Sequence, residues 1–363
     1  MKHIFIFLIF AFFVSSCHNE APTENPINTI TTQADTLYIG GQFTINGNSS
    51  IHNIAKWDGK NWYSVGKGVS GSWVDVESMA IYRGDLYVGG FIDTAGSVPV
   101  KNIARWDGKQ WLDVGGGING RVTSLVVFND VLYAGGWFSN AGNSGANNIA
   151  RWNGIDWEPV GQGFDDEVYT LSIYKGRLYA GGWFYNTNKI AMWDGSQWDT
   201  VGSGVTNGSY VYSLTVYNNE LYASGDINFI GGIAASGIAK WNGSVWSDVG
   251  GGVNPLMIYT AIEYKNKLHV GGAINTAGNL SVQDFASWDG TKWIDPEFSL
   301  NYSPYCLYVY GFNFYVGGAF NTVNDLTING IFKFDGKNII PLGNGVNGSV
   351  SSMIVYPNIH FDN

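Results

Sequence analysis

Leu132-Tyr133-Ala134-Gly135-Gly136, followed by Ile149-Ala150-Arg151-Trp152-Asn153-Gly154, decides how this chain folds. The Leu-Tyr-x-Gly-Gly pattern starts at Leu37, Leu86, Leu132, Leu178, Leu221, Leu268 and Phe314, seven starts spaced by 43 to 49 residues. It varies locally, with Ser224 for a glycine and His269 for a tyrosine. A period of this size with short strands inside each unit indicates a β-propeller or a similar array. Such an architecture hosts many unrelated functions, so it does not state one.

One unit can be read in full. Residues 123–128 alternate and are rich in β-formers, predicting strand a. A tight turn at 129–131 leads to strand b at 132–136, and a loop then runs to Asn148. Strand c follows at 149–152 and strand d at 157–160, with Asn153-Gly154 between them. Asn-Gly and Asp-Gly favour the hairpin turn whose twist matches that of the strands. The pair recurs from Asp58-Gly59 through Asp335-Gly336. The prediction is all-β: a seven-bladed propeller of four-stranded antiparallel blades, strand a on the axis. The glycine doublets are expected where backbones crowd near that axis. Residues 350–356 match strand a but no Leu-Tyr strand follows them. They are predicted to complete blade 1 beside 37–41, closing the ring and hiding both sheet edges. Residues 28–33 also align with strand a. They could compete for that place, add an edge strand or stay in a tether.

The glycine doublets, the later tryptophans and the four-strand order resemble kelch-type propellers, the class that includes the central domain of galactose oxidase. The resemblance runs from about residue 36 to the C-terminus and implies fold more than activity. The blades also look like those of fungal cell-polarity marker proteins. The Trp-Asp dipeptides lack the Gly-His signature of WD repeats. Galactose oxidase needs a copper site of His, Tyr and a Cys–Tyr crosslink. Here Cys306 fills a slot held elsewhere by Ser78, Ser124, Thr170, Ser213, Thr260 and Ser352, and the histidines are scattered. The resemblance therefore carries no copper chemistry. No zinc spacing, phosphate loop, nucleophile elbow or sialidase Asp-box is present. No metal, cofactor or catalytic residue is expected.

Lys2 precedes an apolar run from Ile4 to Val14 and then Ser15-Ser16-Cys17. The run reads as a secretory leader. Small residues before a cysteine resemble the lipobox of bacterial lipoproteins. That implies cleavage after Ser16, lipidation of Cys17 and anchoring in the cell envelope, with the outer membrane favoured and the leaflet open. The expected organisation is a signal peptide at 1–16, the lipidated cysteine and a flexible tether at 17–34, and the propeller at 35–363. The formal net charge is −10 and no basic stripe occurs, which argues against nucleic acid. A monomer is expected.

Repeats act as an internal control, because a residue shared by most blades is explained by the blade. Twelve of the 15 tryptophans form two such sets. Trp57, Trp106, Trp152, Trp193, Trp241 and Trp288 end strand c. Trp62, Trp111, Trp157, Trp198, Trp246 and Trp293 lie five residues on. They are expected to pack between blades. Repeat seven departs at both places, with Phe334 and Ile339, and is expected to be the least rigid. Trp73, Trp137 and Trp183 fall outside the pattern and map to the top face, where loops leave strand b and enter strand a. Tyr169, Tyr212, Tyr259 and Tyr305 begin strand a in blades 4 to 7, an arc at the top of the channel. Glu77, Thr123 and Ser351 hold that place in the other blades. Rings beside polar loops suit a glycan or an envelope protein. The alternative use of these rings is filling wedges between blades. Asp165, Asp166, Glu167 and Asp226 are the carboxylates that a lyase or hydrolase would use. His269 is expected to be a core substitute for tyrosine. A structural scaffold binding a partner by its rim is the third reading.

Overall fold

Strands a and b join through two-residue turns, as at Phe128↔Val131, strands c and d through four residues, as at Trp152↔Trp157, and strand b is buried along most of its length. The structure, a computed structural model, describes residues 35–356 except residue 256. The leader, Cys17, the tether, residues 28–33 and His360 lie outside the described residues. In the third repeat Arg121–Phe128, Val131–Trp137, Ile149–Trp152 and Trp157–Pro159 pair antiparallel in that order. Seven sheets of the described residues share this four-strand path. Every named element among the described residues is a β-strand.

Blade 1 is composite. Its path runs Trp62–Ser64, Asn48–Trp57, Thr36–Ile45 and then Val346–Tyr356. The C-terminal strand pairs from Thr36↔Tyr356 to Ile45↔Val346. It also bonds to both neighbouring blades. The Ser352 hydroxyl donates to the Val76 carbonyl at 2.7 Å, and the Val355 amide donates to the Tyr308 hydroxyl at 3.1 Å. The inner place in blade 1 is therefore held by the C-terminal strand.

The glycine doublet has a steric cause at each position. Strand a skips one residue between Val122 and Ser124, which face Gly136 and Gly135. The same skip occurs at Val76/Ser78, Val168/Thr170, Val211/Ser213, Ile258/Thr260 and Pro304/Cys306. Each skip is a β-bulge, one extra residue in the inner strand. A Cβ on Gly136 would lie 1.9 Å from the Arg121 carbonyl oxygen, so the bulged strand closes onto bare backbone. A Cβ on Gly135 would lie 2.7 Å from Cγ1 of Val168 in the next blade. The first glycine thus admits the neighbouring blade and the second admits the bulge.

Outer contacts repeat as regularly. Gly115, at φ +59°, sits against the Trp152 ring, where a Cβ would approach to 2.4 Å. The Trp157 indole N–H donates to the Val114 carbonyl of the preceding blade at 2.8 Å. Trp62, Trp111, Trp198, Trp246 and Trp293 donate likewise to Leu342, Val65, Val160, Val201 and Val249. All twelve repeated tryptophans are thus interface residues, as their periodicity predicts. Where repeat seven has Ile339, Phe298 fills the gap. It stacks on Phe285 at 4.4 Å and meets Phe332 and Phe334 edge-on at 5.0 and 5.6 Å. Near the axis, the Ser78 and Ser124 hydroxyls accept the Leu125 and Leu171 amides of the next blade at 2.8 and 3.0 Å. This hydroxyl slot is the one Cys306 occupies, buried.

The connection after strand b is more ordered than the predicted loop. Asn140–Ala141 and Ser144–Gly145 form a small hairpin, and Ala141 bridges to Ile118 ahead of strand a. Val69–Ser70 with Thr94–Ala95, and Val253–Asn254 with Thr276–Ala277, build the same second tier in blades 2 and 6.

Gly136→Ala is expected to cost about 3 kcal/mol, because the bulge must open or the sheet must shift. Gly145→Ala in the same blade meets nothing within 4 Å and is expected to stay within about 0.5 kcal/mol of the parent. Urea unfolding of both variants checks the contrast.

Candidate ligand-binding face

The bulge decides which side chains surround the axis. The extra residues are Glu77, Thr123, Tyr169, Tyr212, Tyr259, Tyr305 and, opposite Gly40 and Gly41, Ser351. A bulge re-aims the side chain of its extra residue. The four tyrosines meet one another in order. Ring centres lie 5.2 Å apart for Tyr169–Tyr212, 5.7 Å for Tyr212–Tyr259 and 5.7 Å for Tyr259–Tyr305. The structure therefore brings the whole arc together, with Tyr305 exposed and the other three partly buried.

Blade 4 and blade 5 widen the arc outward. Tyr210 stacks on Tyr212 at 5.3 Å and meets Trp183 edge-on at 5.6 Å. The Trp183 indole donates to the Tyr185 hydroxyl at 2.7 Å. Trp183 is 36% exposed, Trp137 61% and Trp73 81%. Trp183 thus joins the arc, while Trp137 and Trp73 stand apart from it on the strand end and connection of blades 3 and 2. Phe91 ends strand b of blade 2 and is also exposed.

The opposite half of the mouth is charged. Arg121 Nε donates to Glu77 at 2.7 Å and Nη1 to Glu167 at 3.1 Å. The guanidinium carbon also lies 5.9 Å from the Phe91 ring centre. Burial pushes the Glu77 carboxyl from 4.5 up to about 7, more than Arg121 offsets. Burial also raises Asp75 and Glu167. One oxygen of Asp75 is buried without a hydrogen-bond partner. Burial raises the Tyr169 phenol, and the neighbouring Glu167 adds to it. Sequence reasoning named Glu77 and Glu167 but missed their link through Arg121. The available signal was the residue preceding the buried apolar start of strand a. It is Asp75, Arg121, Glu167, Tyr210, Met257, Ser303 and Ser349 in successive blades.

Several carboxylates serve the loops. Asp165 Oδ1 accepts the Tyr185 and Asn186 amides at 2.8 and 3.2 Å. Asn119 caps Ser139 and Asn140 in the same way, and Asn301 caps Asn321 and Thr322. Asp165 is therefore the acidic version of a repeated loop cap. Asp166 accepts the Glu167 amide at 2.8 Å, and Asp226 accepts the Ser209 amide at 3.1 Å. No group of three or more His, Cys, Asp or Glu among the described residues could hold a metal ion. His269 is 1% exposed and stacks on Phe285, with its Nδ1 2.9 Å from the Ser287 hydroxyl. Burial lowers it to about 4, which keeps it neutral as a core residue. His52 lines a second feature, a groove of about 910 Å³ over blades 7 and 1 with Gln42, Thr44, Asn321, Asn347 and Ser349.

No family model and no curated protein matches the sequence. Among solved structures the chain is similar to the computationally designed Ika8 protein. They share 14% identity over 88% of this chain and 90% of that one, at a TM-score of 0.51. YCF48 bound to a D1 peptide gives 13% identity, 88% and 97% coverage and a TM-score of 0.45. A chain of the mitotic checkpoint complex gives 14%, 82%, 95% and 0.49. At these identities the likeness concerns the fold alone.

Glu77 binds its proton more tightly in the folded than in the unfolded chain. Its cost is absent below the unfolded value of about 4.5 and grows as pH rises toward about 7. Relative to the parent, Glu77→Gln is expected to be more favourable at pH 8 than at pH 4 by roughly 1–3 kcal/mol. Equal stability differences in urea at the two pH values would contradict the raised pKa.

Proposed function

We propose that this chain is a non-catalytic binding module of the bacterial cell envelope that takes a glycan or protein ligand on the top face of its propeller. The observation that carries this reading is the exposure of Trp73, Trp137 and Trp183, the last of them joined to the tyrosine arc through Tyr210. Twelve other tryptophans are explained by blade interfaces. These three leave large aromatic surface toward solvent, where burial by a ligand would be favourable. Stacking contributes roughly 0.5–1.5 kcal/mol per aromatic contact beyond area burial, and the polar loops supply hydrogen bonds. Affinity per site would be modest and would rest on several contacts.

The carboxylates considered for hydrolysis or elimination support binding better than turnover. Asp165 and Asp226 cap backbone amides, and Glu167 is held by Arg121. The same reading places the protein as a monomer on a lipidated Cys17, in the outer membrane, with residues 17–34 as the tether and residues 35–363 as the propeller. Two acyl chains would hold it durably, since each buried methylene contributes about 0.8 kcal/mol.

Two experiments check the proposal. Cys17→Ser is expected to release the protein from the membrane fraction into the soluble fraction; retention in the membrane would defeat the lipid anchor. The chain bearing Trp137→Ala and Trp183→Ala is expected to lose at least tenfold in affinity for whichever member of a glycan panel or envelope extract the parent binds. Undiminished binding by that variant would move the site off the top face.

A further inference from the structure

The top face carries a charge imbalance that narrows the kind of ligand it fits. Glu77 and Glu167 share the Arg121 guanidinium, and the same cation acts on Asp75 through space. Negative charge continues around the arc. Asp226 and Glu167 both act on the Tyr212 phenol, and Asp284 acts on Tyr259. The side chains of Glu77 and Glu167 are only 13% and 12% exposed, so water compensates them poorly. The rings of Tyr169, Tyr210 and Tyr212 meet one another beside them, and the Tyr169 phenol interacts with Glu167. A ring face attracts a cation, and a desolvated carboxylate attracts it further.

Size argues for a polypeptide over a small cation. Exposed aromatic side chains extend from Trp73 and Phe91 through Trp137, Trp183 and Tyr185 to Tyr302 and Tyr305, across blades 2, 3, 4 and 7. A small cation would cover the mouth and leave this rim bare. A neutral glycan would cover the rim and leave the Asp75, Glu77 and Glu167 cluster with Arg121 as its counter-ion. We infer that the ligand is a basic polypeptide segment: one lysine or arginine side chain enters the mouth between the tyrosine arc and Glu77–Glu167, and its flanking residues lie on Trp137 and Trp183. This inference rests on the top-face reading above and adds the chemistry of the partner. Charge complementarity with a chain of net charge −10 favours the approach of such a segment.

The test pans the full-length chain, solubilised in mild detergent, against random dodecapeptides displayed on phage. Enriched peptides are then synthesised and measured by fluorescence anisotropy. Enrichment of lysine or arginine is expected, with affinity falling about tenfold when that residue becomes glutamine. Affinity is also expected to fall at least tenfold in Glu167→Gln and in Trp183→Ala, and to weaken as sodium chloride is raised. Thermal melts verify that both variants fold. Should Glu167→Gln fail to fold, a glutamate-bearing peptide on the parent protein serves instead and is expected not to bind. Enriched peptides without basic residues, or binding indifferent to these changes, would overturn the inference. Binding of a neutral glycan alone, lost with Trp137→Ala and Trp183→Ala, would overturn it while leaving the top-face reading intact. Failure of both peptides and glycans would remove both.

Discussion

Everything near the axis depends on one close approach: the inner strand of each blade bulges directly over a residue that has no side chain. Over Gly136 the Arg121 carbonyl leaves no room for even a methyl group, and Gly90 and Gly272 are crowded by the Asp75 and Met257 carbonyls in the same way. A bulge adds a residue without adding length to the ladder, so one side chain per blade is turned out of the sheet's alternation. Tyr169, Tyr212, Tyr259 and Tyr305 hold that extra position, and so do Glu77, Thr123 and Ser351. The glycines that look like packing residues therefore also set the lining of the mouth.

Around this inner ring the blades are joined by directional bonds as well as by apolar burial. Indole N–H groups reach carbonyls of the preceding blade, and inner hydroxyls accept amides of the next. Each such bond contributes modestly, but leaving its buried partner unpaired would cost more. Repeat seven shows that the bond is one of two solutions. Where the tryptophan is absent, Phe298 among Phe285, Phe332 and Phe334 fills the same interface without a polar group to satisfy. A rigid frame of this kind fixes loops at defined angles about a common axis, and variation in those loops can then carry recognition.

The mouth itself is asymmetric although the frame is not. Blades 4 to 7 supply rings, while blades 2 to 4 supply Asp75, Glu77, Arg121 and Glu167. The two halves meet at Tyr169, whose phenol is raised by burial and by Glu167. Low local polarity strengthens these interactions and makes an incompletely compensated carboxylate costly, which accounts for a Glu77 value near neutrality. The loop carboxylates beside them behave differently. Asp165 and Asp226 are spent on backbone amides and so shape the rim without adding a free reactive group.

The sequence alone determined the repeat, the four-strand order, the C-terminal strand of blade 1 and the division of tryptophans into frame and remainder. These follow from short-range facts: alternation, turn dipeptides and a motif that starts seven times at intervals of 43 to 49 residues. It also picked out Trp183 and the tyrosine arc, because a residue that breaks a repeat needs no alignment to be noticed. Tertiary structure decided what lies between repeats. That Arg121 joins Glu77 to Glu167 depends on distances of 2.7 and 3.1 Å across separate blades, 44 and 46 residues apart in the chain. That Asp165 caps a loop, and that the loop after strand b is a paired hairpin, depend on where the second tier folds back. A local pattern cannot encode such pairings, because each partner looks ordinary within its own repeat and acquires its role only when the ring closes.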